Sequence, residues 1–463
     1  MIVFIESCAT LATFVHRLSL TERFMLNHGV ALALALAVVV GVPSFGVAQE
    51  VTFTAHVAPI FFENCTTCHR PGQVGPMSLL TYEDARPWAR SIKQKVADRD
   101  MPPWDADPAV GTFANDRSLS DDEIETIIAW ADAGAPRGDA AVTPAAPSYA
   151  DSHWTIGEPD AVFSIPPFEV PAEGTVDYTY FEVPTNLTED KWVQAIEVKP
   201  GAMAAVHHII VTQRAELSEE EIAELRHFDP GIRLDRELLP GREIEWNPGV
   251  VQLEGRGKGT PLGGTTVGND GVSVFQLGTA RRLRAGTTLV FEVHYTPTGE
   301  THIDESKIGL VFTDEPPTQT VMDGAIVHGQ FTIPPGEANY KIEADLTFSK
   351  DAKLLNLLPH SHLRGVRWDY EAVYPDGRRQ AILSVPSYDF NWQIDYIFDE
   401  PITMPAGSKI HAVAYYDNSA ANRSNPDPTA EVRWGEQTDE EMFFTALSYL
   451  LDEEDAEETQ QEQ

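Results

Sequence analysis

Read from its N-terminus, the chain opens on an apolar run from about Val30 to Val42 that ends in small residues, with Gly46 and Ala48 spaced for signal-peptidase cleavage. The run is shorter than the about 20 residues a spanning helix needs, and Pro43 closes it, so residues 1–48 read as a signal peptide cleaved after Ala48. Met25 is the better start for such a signal, which makes residues 1–24 a candidate over-extension. Between 50 and 140 the apolar positions recur at helical spacing. The last helix is the clearest: Ser120 and Glu123 form a capping box ahead of Ile124, Ile127, Ile128 and Ala131, and Gly134 with Pro136 ends it. Residues 141–153 begin AVTPAAPS, an Ala/Pro-rich stretch without periodicity that reads as a linker.

From Trp154 onward the period changes to short alternating or β-branched runs between Pro/Gly turns: WVQAIEV, VHHIIVTQ, TTLVFEVHY, KIGLVF, KIEADLTF and KIHAVAYY. Three hundred residues is long for one sandwich, and PPTQTVMDG offers a break. The pattern therefore predicts a multidomain chain: a small all-α domain over 50–140, then two tandem all-β, jelly-roll-like sandwiches over 154–318 and 319–452. The acidic end, 453–463, lacks apolar residues and reads as disordered.

Composition narrows the partners. Acidic residues outnumber basic ones 71 to 33, a net charge of −38, which opposes nucleic acid and anionic lipid headgroups. Removing the leader removes Cys8 and leaves only Cys65 and Cys68, so no disulfide framework is available to an exported chain.

Cys65-Thr66-Thr67-Cys68-His69 is a covalent haem c attachment pattern: two thiols for the vinyl groups, and the adjacent imidazole for the iron. A zinc site is disfavoured because no second cysteine pair exists. A thioether is the natural sixth ligand. Met101, in Asp100-Met101-Pro102-Pro103-Trp104, is preferred because prolines stiffen its loop, and Met77 after Gly75-Pro76 is the competitor. A buried core methionine is the plainer reading of either. The segment from about 52 to 138 resembles small class I cytochromes c, which pass single electrons.

Three histidine-bearing strand segments follow: His207-His208, His294, and His360-Ser361-His362. Residues two apart on a strand face the same way, so His360 and His362 can grip one ion. Adjacent His207 and His208 face opposite ways on a regular strand and share an ion only at a bulge or strand end, which spacing alone leaves open. Each histidine taken singly reads more simply as a hydrogen-bonded imidazole.

In order and context, the HH pair, RLRAGTTLVFEVHY, HSHLRG, and YYDNSAANR followed by WGEQTDEEMFF resemble the copper type II, ascorbate-dependent monooxygenases over roughly residues 155–452. The resemblance implies two coppers: an electron-transfer copper on His207, His208 and His294, and an O2-activating copper on His360, His362 and Met442, which would be the catalytic centre. Soft thioether plus imidazole suits copper. Members that hydroxylate peptidylglycine hold substrate with an Arg two residues before the HxH pair and a Tyr four after the Met. Leu358 and Ala446 stand there, and the animal members' disulfides are absent, so a less polar pocket is implied. The expectation is an exported, periplasmic or secreted haem- and copper-dependent monooxygenase that hydroxylates a C–H bond of a small organic substrate with O2. Its electrons would come through the haem from ascorbate or a redox protein. The competing readings are a haem and copper electron-transfer or metal-binding protein without turnover, and an adhesion module.

Overall fold

The structure is a computed structural model that describes residues 50–71, 73–147, 154–214, 232–234, 251–252, 258–266, 269, 271–276, 278–435 and 437–451. The signal-peptide and acidic-tail readings, and the end of the linker, lie outside the described residues. The chain divides into two units, Met1–Thr52 and Phe53–Gln463.

Each of the six alternating runs forms a strand, as the period-two pattern requires. A five-stranded sheet runs in the order Thr179–Pro184, Thr288–Tyr295, Val206–Arg214, Lys258–Thr265 and Val251–Gln252. A second five-stranded sheet runs Arg379–Val385, Gly365–Val373, Lys409–Tyr416, Tyr340–Phe348 and Ile232–Leu234. One nine-stranded sheet is continuous through both β regions. Its path is Ala161–Ser164, Lys307–Thr313, Lys191–Lys199, Thr279–Leu283, Gln319–Val327, Phe444–Leu451, Ala352–His360 and Tyr396–Met404, with Val272–Val274 added beside Lys191–Lys199.

The two β regions join within this sheet, where Thr279 and Ala280 pair in parallel with Gln319 and Thr320. A buried ion pair marks the seam: Arg281 donates to Asp323 (2.6 Å) and to Leu262 O (2.5 Å), and Ser448 Oγ donates to the same Asp323 oxygen (2.9 Å). Apolar side chains collect into two clusters. One is built around Ile196, Val211, Leu262 and Phe291, the other around Leu346, Leu357, Trp368 and Tyr449.

The expectation of a self-contained all-α domain followed by two tandem sandwiches is corrected here. Among the described residues, strand takes 40% and helix 12%. The helices of the described N-terminal segment are short: Ala58–Asn64, Tyr82–Ala85, Ala89–Ala97 and Asp121–Asp132. The capping box at Ser120 and Glu123 forms, and Phe53, Phe61, Tyr82 and Trp130 pack ring to ring at 5.6–6.2 Å. The stretch between the last two helices, however, belongs to the β region. Trp104 and Phe113 sit in the second core against Tyr396, with centroids 5.1 and 5.6 Å from it. Ala114 N–H bonds Ile397 O, Asp399 N–H bonds Thr112 O, and Asp107 N–H bonds Ser384 O. Aromatics in a Pro-rich loop read locally as part of a helical domain. Their burial is completed only by strands nearly three hundred residues further on, so this stretch joins the second β core and not the helices' own cluster of Phe53, Phe61 and Trp130. Among the described residues no helix is long and apolar enough to cross a membrane.

Candidate metal centres

His207 and His208 open the strand Val206–Arg214, and His294 ends its neighbour Thr288–Tyr295. The antiparallel register pairs His294 with His208 and then Tyr295 with Val206, so His207 is the extra residue of a β-bulge. The bulge rotates His207 out of strict alternation, and two adjacent imidazoles turn toward the same point. The ligand atoms of His207, His208 and His294 all lie within 4.8 Å of one another. His207 Nδ1 and His208 Nδ1 are 3.3 Å apart. Metal–nitrogen bonds of about 2.0–2.1 Å at tetrahedral angles put ligand atoms about 3.3 Å apart. His294 Nδ1 is buried without a hydrogen-bond partner in the protein, an orphan that a bound cation would satisfy. All three rings favour the neutral, ligating form. Burial, then the neighbouring His294 and His360, pushes His207 down to about 4, while His208 falls well below its ordinary value and His294 is lowered by burial. Tyr178 covers the set, stacked on His294 at 4.8 Å and 16°.

Behind this trio, Asp304 is fully buried and ties both of its arms. It accepts from Ala202 N (2.9 Å) in the turn before His207, from Tyr295 OH (2.7 Å) beside His294, and from Ser306 Oγ.

His360 ends the strand Ala352–His360, and His362 follows it. Their rings lie on one side, centroids 5.2 Å apart at 88°, while Ser361 turns the other way to Trp368 Nε1 (3.1 Å) and Tyr416 OH (3.3 Å). His360 Nδ1 is 2.8 Å from Gln393 Oε1, and His362 Nδ1 is 3.3 Å from Glu440 O. Both acceptors fix Nδ1 as the protonated nitrogen and leave Nε2 as the lone pair, the arrangement expected of a metal-bound histidine. Burial lowers both rings, His362 to about 3.

Met442 arrives by strand pairing: Phe444 opposes His360 in the register. Its main chain is anchored by Tyr416 OH to Met442 O (2.8 Å) and by Met442 N to Glu441 Oε1 (3.2 Å). Glu441 is fully buried, and its carboxylate also accepts from His362 N and from Arg364 N (3.0 Å), so one side chain gathers the HSHLR turn and the methionine segment. Burial pushes its carboxyl up to about 8, against the pull of these N–H donors and Arg364. Leu358 and Ala446 are direct register partners on the same pair of strands.

The two histidine sets meet at one ring. Phe390 stacks on His207 (5.6 Å, 22°) and meets His362 edge-on (6.0 Å, 88°). Tyr178, Asp304, Phe390, Gln393 and Glu441 all escaped the sequence reading. Only Glu441, next to Met442, lay within a segment it had singled out.

In the helical segment, His69 N bonds Cys65 O and Cys68 N bonds Cys65 O, one turn of backbone that carries both cysteines and the histidine; the cysteines form no disulfide. His69 Nδ1 lies 3.2 Å from Met77 O, which leaves Nε2 for a ligand. Gly75 passes so close that a Cβ there would sit 2.7 Å from His69 Nδ1 and from Cys68 O. Burial, then Cys68 and Glu123, pushes the Cys65 thiol up to about 12, away from the reactive thiolate. Met77 thus has its carbonyl on the His69 ring, while Met101 N bonds Lys95 O at the end of the helix Ala89–Ala97.

No protein-family model matches the chain, and no curated protein matches it. Among solved structures it is similar to an allantoicase, at 9% identity over 54% of this chain and 79% of that one, with a TM-score of 0.17. It is also similar to the major capsid protein P2 of bacteriophage PM2, at 8% identity over 63% and 97% with a TM-score of 0.27. The mavirus major capsid protein aligns at 7% identity over 68% and 90%, with a TM-score of 0.20. Similarity at these scores assigns neither a family nor an activity.

Proposed function

We propose that the chain is an exported haem- and copper-dependent oxidoreductase that hydroxylates a C–H bond of a small organic substrate with O2, in the manner of the copper type II, ascorbate-dependent monooxygenases. The observation that carries the reading is the convergence of His207, His208 and His294, three neutral imidazoles with one buried, unpartnered nitrogen among them. In this reading that trio would hold an electron-transfer copper, and His360, His362 and Met442 would hold a second copper that would supply O2 activation.

Copper supplies one-electron chemistry and O2 activation when bound. The protein supplies the rest. Gln393 and Glu440 hold the His360 and His362 rings in the ligating tautomer, and Tyr178 screens one face of the trio from water. The overall conversion, R–H + O2 + 2 e⁻ + 2 H⁺ → R–OH + H2O, takes two electrons. An external donor, ascorbate or a redox protein, would supply them; Cys65 and Cys68 would hold a covalent haem c, with His69 and Met101 as the side chains offered to its iron, and such a haem would supply one-electron transfer. Leu358 and Ala446 face each other where the peptidylglycine enzymes place polar groups, which favours a less polar substrate.

The test is metal analysis with spectroscopy of protein exported from a host that attaches haem c. Two coppers and one covalent haem per chain are expected. His294→Ala and Met442→Ala should each remove or alter a different copper signal, and Cys68→Ala should weaken covalent haem retention. Substrate-dependent O2 uptake coupled to haem oxidation completes the case. Metals without any such uptake favour the electron-transfer alternative, and a chain that takes up no copper ends the proposal.

A further inference from the structure

The loop that follows strand Arg379–Val385 touches both histidine sets, and it does so with three different groups. Phe390 lays its ring on His207 of the trio and meets His362 edge-on. Gln393, which is buried, offers Oε1 to His360 Nδ1 at 2.8 Å, while its Nε2 returns to Phe390 O (3.3 Å) and its own carbonyl accepts from Thr266 Oγ1 (2.8 Å) of the first β region. Tyr388 OH closes on Ser361, accepting from its N–H (3.0 Å) and donating to its O (2.8 Å), between the two histidines of the pair. One stretch of six residues therefore positions a ring of each set and is itself pinned from both β regions.

Resting on the metal reading above, we infer that residues 388–393 form a strap that couples the two centres, so that metal on His207, His208 and His294 raises the affinity of the His360/His362 centre, and the reverse. A metal at the trio stills His207, and with it the Phe390 ring stacked upon it. The Phe390 carbonyl then holds the Gln393 amide, whose oxygen fixes the tautomer and rotation of His360. Ordering that the first ion imposes is ordering the second no longer has to impose, so the coupling is positive. It is also reciprocal, as any binding linkage must be. Gln393 and Phe390 act through the histidines, as positioning residues.

The experiment is Cu(I) titration of the full chain against a colorimetric chelator, with the Cu(II) electron paramagnetic resonance spectrum as a second readout. His294→Ala isolates the His360/His362 centre and should weaken it about 5–150-fold relative to the wild type. Phe390→Leu, which keeps an apolar side chain but removes the ring, should weaken it similarly, and the two changes together should do no more than either alone. Gln393→Leu should cost that centre about 10–100-fold and shift its spectrum, whereas Gln393→Glu, which keeps an acceptor for His360 Nδ1 but loses the donor to Phe390 O, should restore the spectrum and leave the centre insensitive to His294→Ala. His294→Gln replaces the alanine variant if the latter fails to fold.

Unchanged affinity of the His360/His362 centre on losing His294, or fully additive effects of His294→Ala and Phe390→Leu, overturns the strap while leaving two metal centres standing. No copper at either centre overturns the metal reading, and the strap falls with it.

Discussion

Replacing His294 with leucine separates what the imidazole does for the metal from what it does for the fold. Without metal, His294 Nδ1 is buried and unpartnered, at a cost of about 1–3 kcal/mol for an unsatisfied polar group. Leucine removes that cost but gives up the stack on Tyr178 at 4.8 Å, worth about 0.5–1.5 kcal/mol. The two changes oppose each other, so the metal-free variant should unfold within about 2 kcal/mol of the parent. With metal the balance reverses. A ligand at about 1,000 times its Kd stabilises the native state by about 4 kcal/mol, and most of that gain should vanish with one of three ligands gone. Urea unfolding, first with a strong chelator and then with Cu(I) or Zn(II), measures both terms in a His362→Ala background that silences the other centre. An equal metal-induced shift in parent and variant refutes the reasoning, as does a metal-free variant more than about 4 kcal/mol less stable than its parent.

Three further outcomes are expected. Arg281→Leu strands Asp323 at the seam between the β regions and should cost about 3–5 kcal/mol in urea unfolding, whereas Arg281→Leu with Asp323→Leu should recover part of it. Burial, then Asp389 and Asp100, raises Asp105 to about 6 from 3.8, so its contribution to stability is full below about pH 4 and lost as pH rises through about 6; Asp105→Asn should flatten that fall in a pH series of thermal melts and raise stability at pH 7. Glu441→Ala leaves the N–H groups of His362, Arg364 and Met442 without their buried acceptor, so copper should be lost from the His360/His362 centre while the three-histidine centre, once saturated, keeps its spectrum but binds more weakly, and Glu441→Gln should lose less copper.

How far the chain could be read in advance depended on whether a feature's causes lay close together in sequence. Strands such as Thr288–Tyr295 and Lys409–Tyr416 follow from alternation within eight residues, and the Asp121–Asp132 helix follows from a cap and a period of its own. His360 and His362 share a side because a strand repeats every second residue, a property of the local backbone. His207 and His208 were different. Their spacing left two outcomes open, and a register shift opposite His294 and Tyr295, nearly ninety residues away, turns both rings inward. Trp104 and Phe113 misled for the same reason: a Pro-rich loop gives no local sign that its aromatics are completed by Tyr396 and Phe398.

What this sequence determined by itself was therefore its short-range content: β-strands of period two, a few capped helices, a thiol pair next to an imidazole, and histidines in strand-borne segments. Which of these meet was decided only by the tertiary structure. Pairing partners, the continuous nine-stranded sheet, the carboxylate of Glu441 beneath the HSHLR turn and the Phe390 ring between two histidine sets all rest on contacts between distant segments. Such contacts form because apolar surface and buried polar groups must be satisfied by whatever the rest of the chain presents, and no local pattern records the partner.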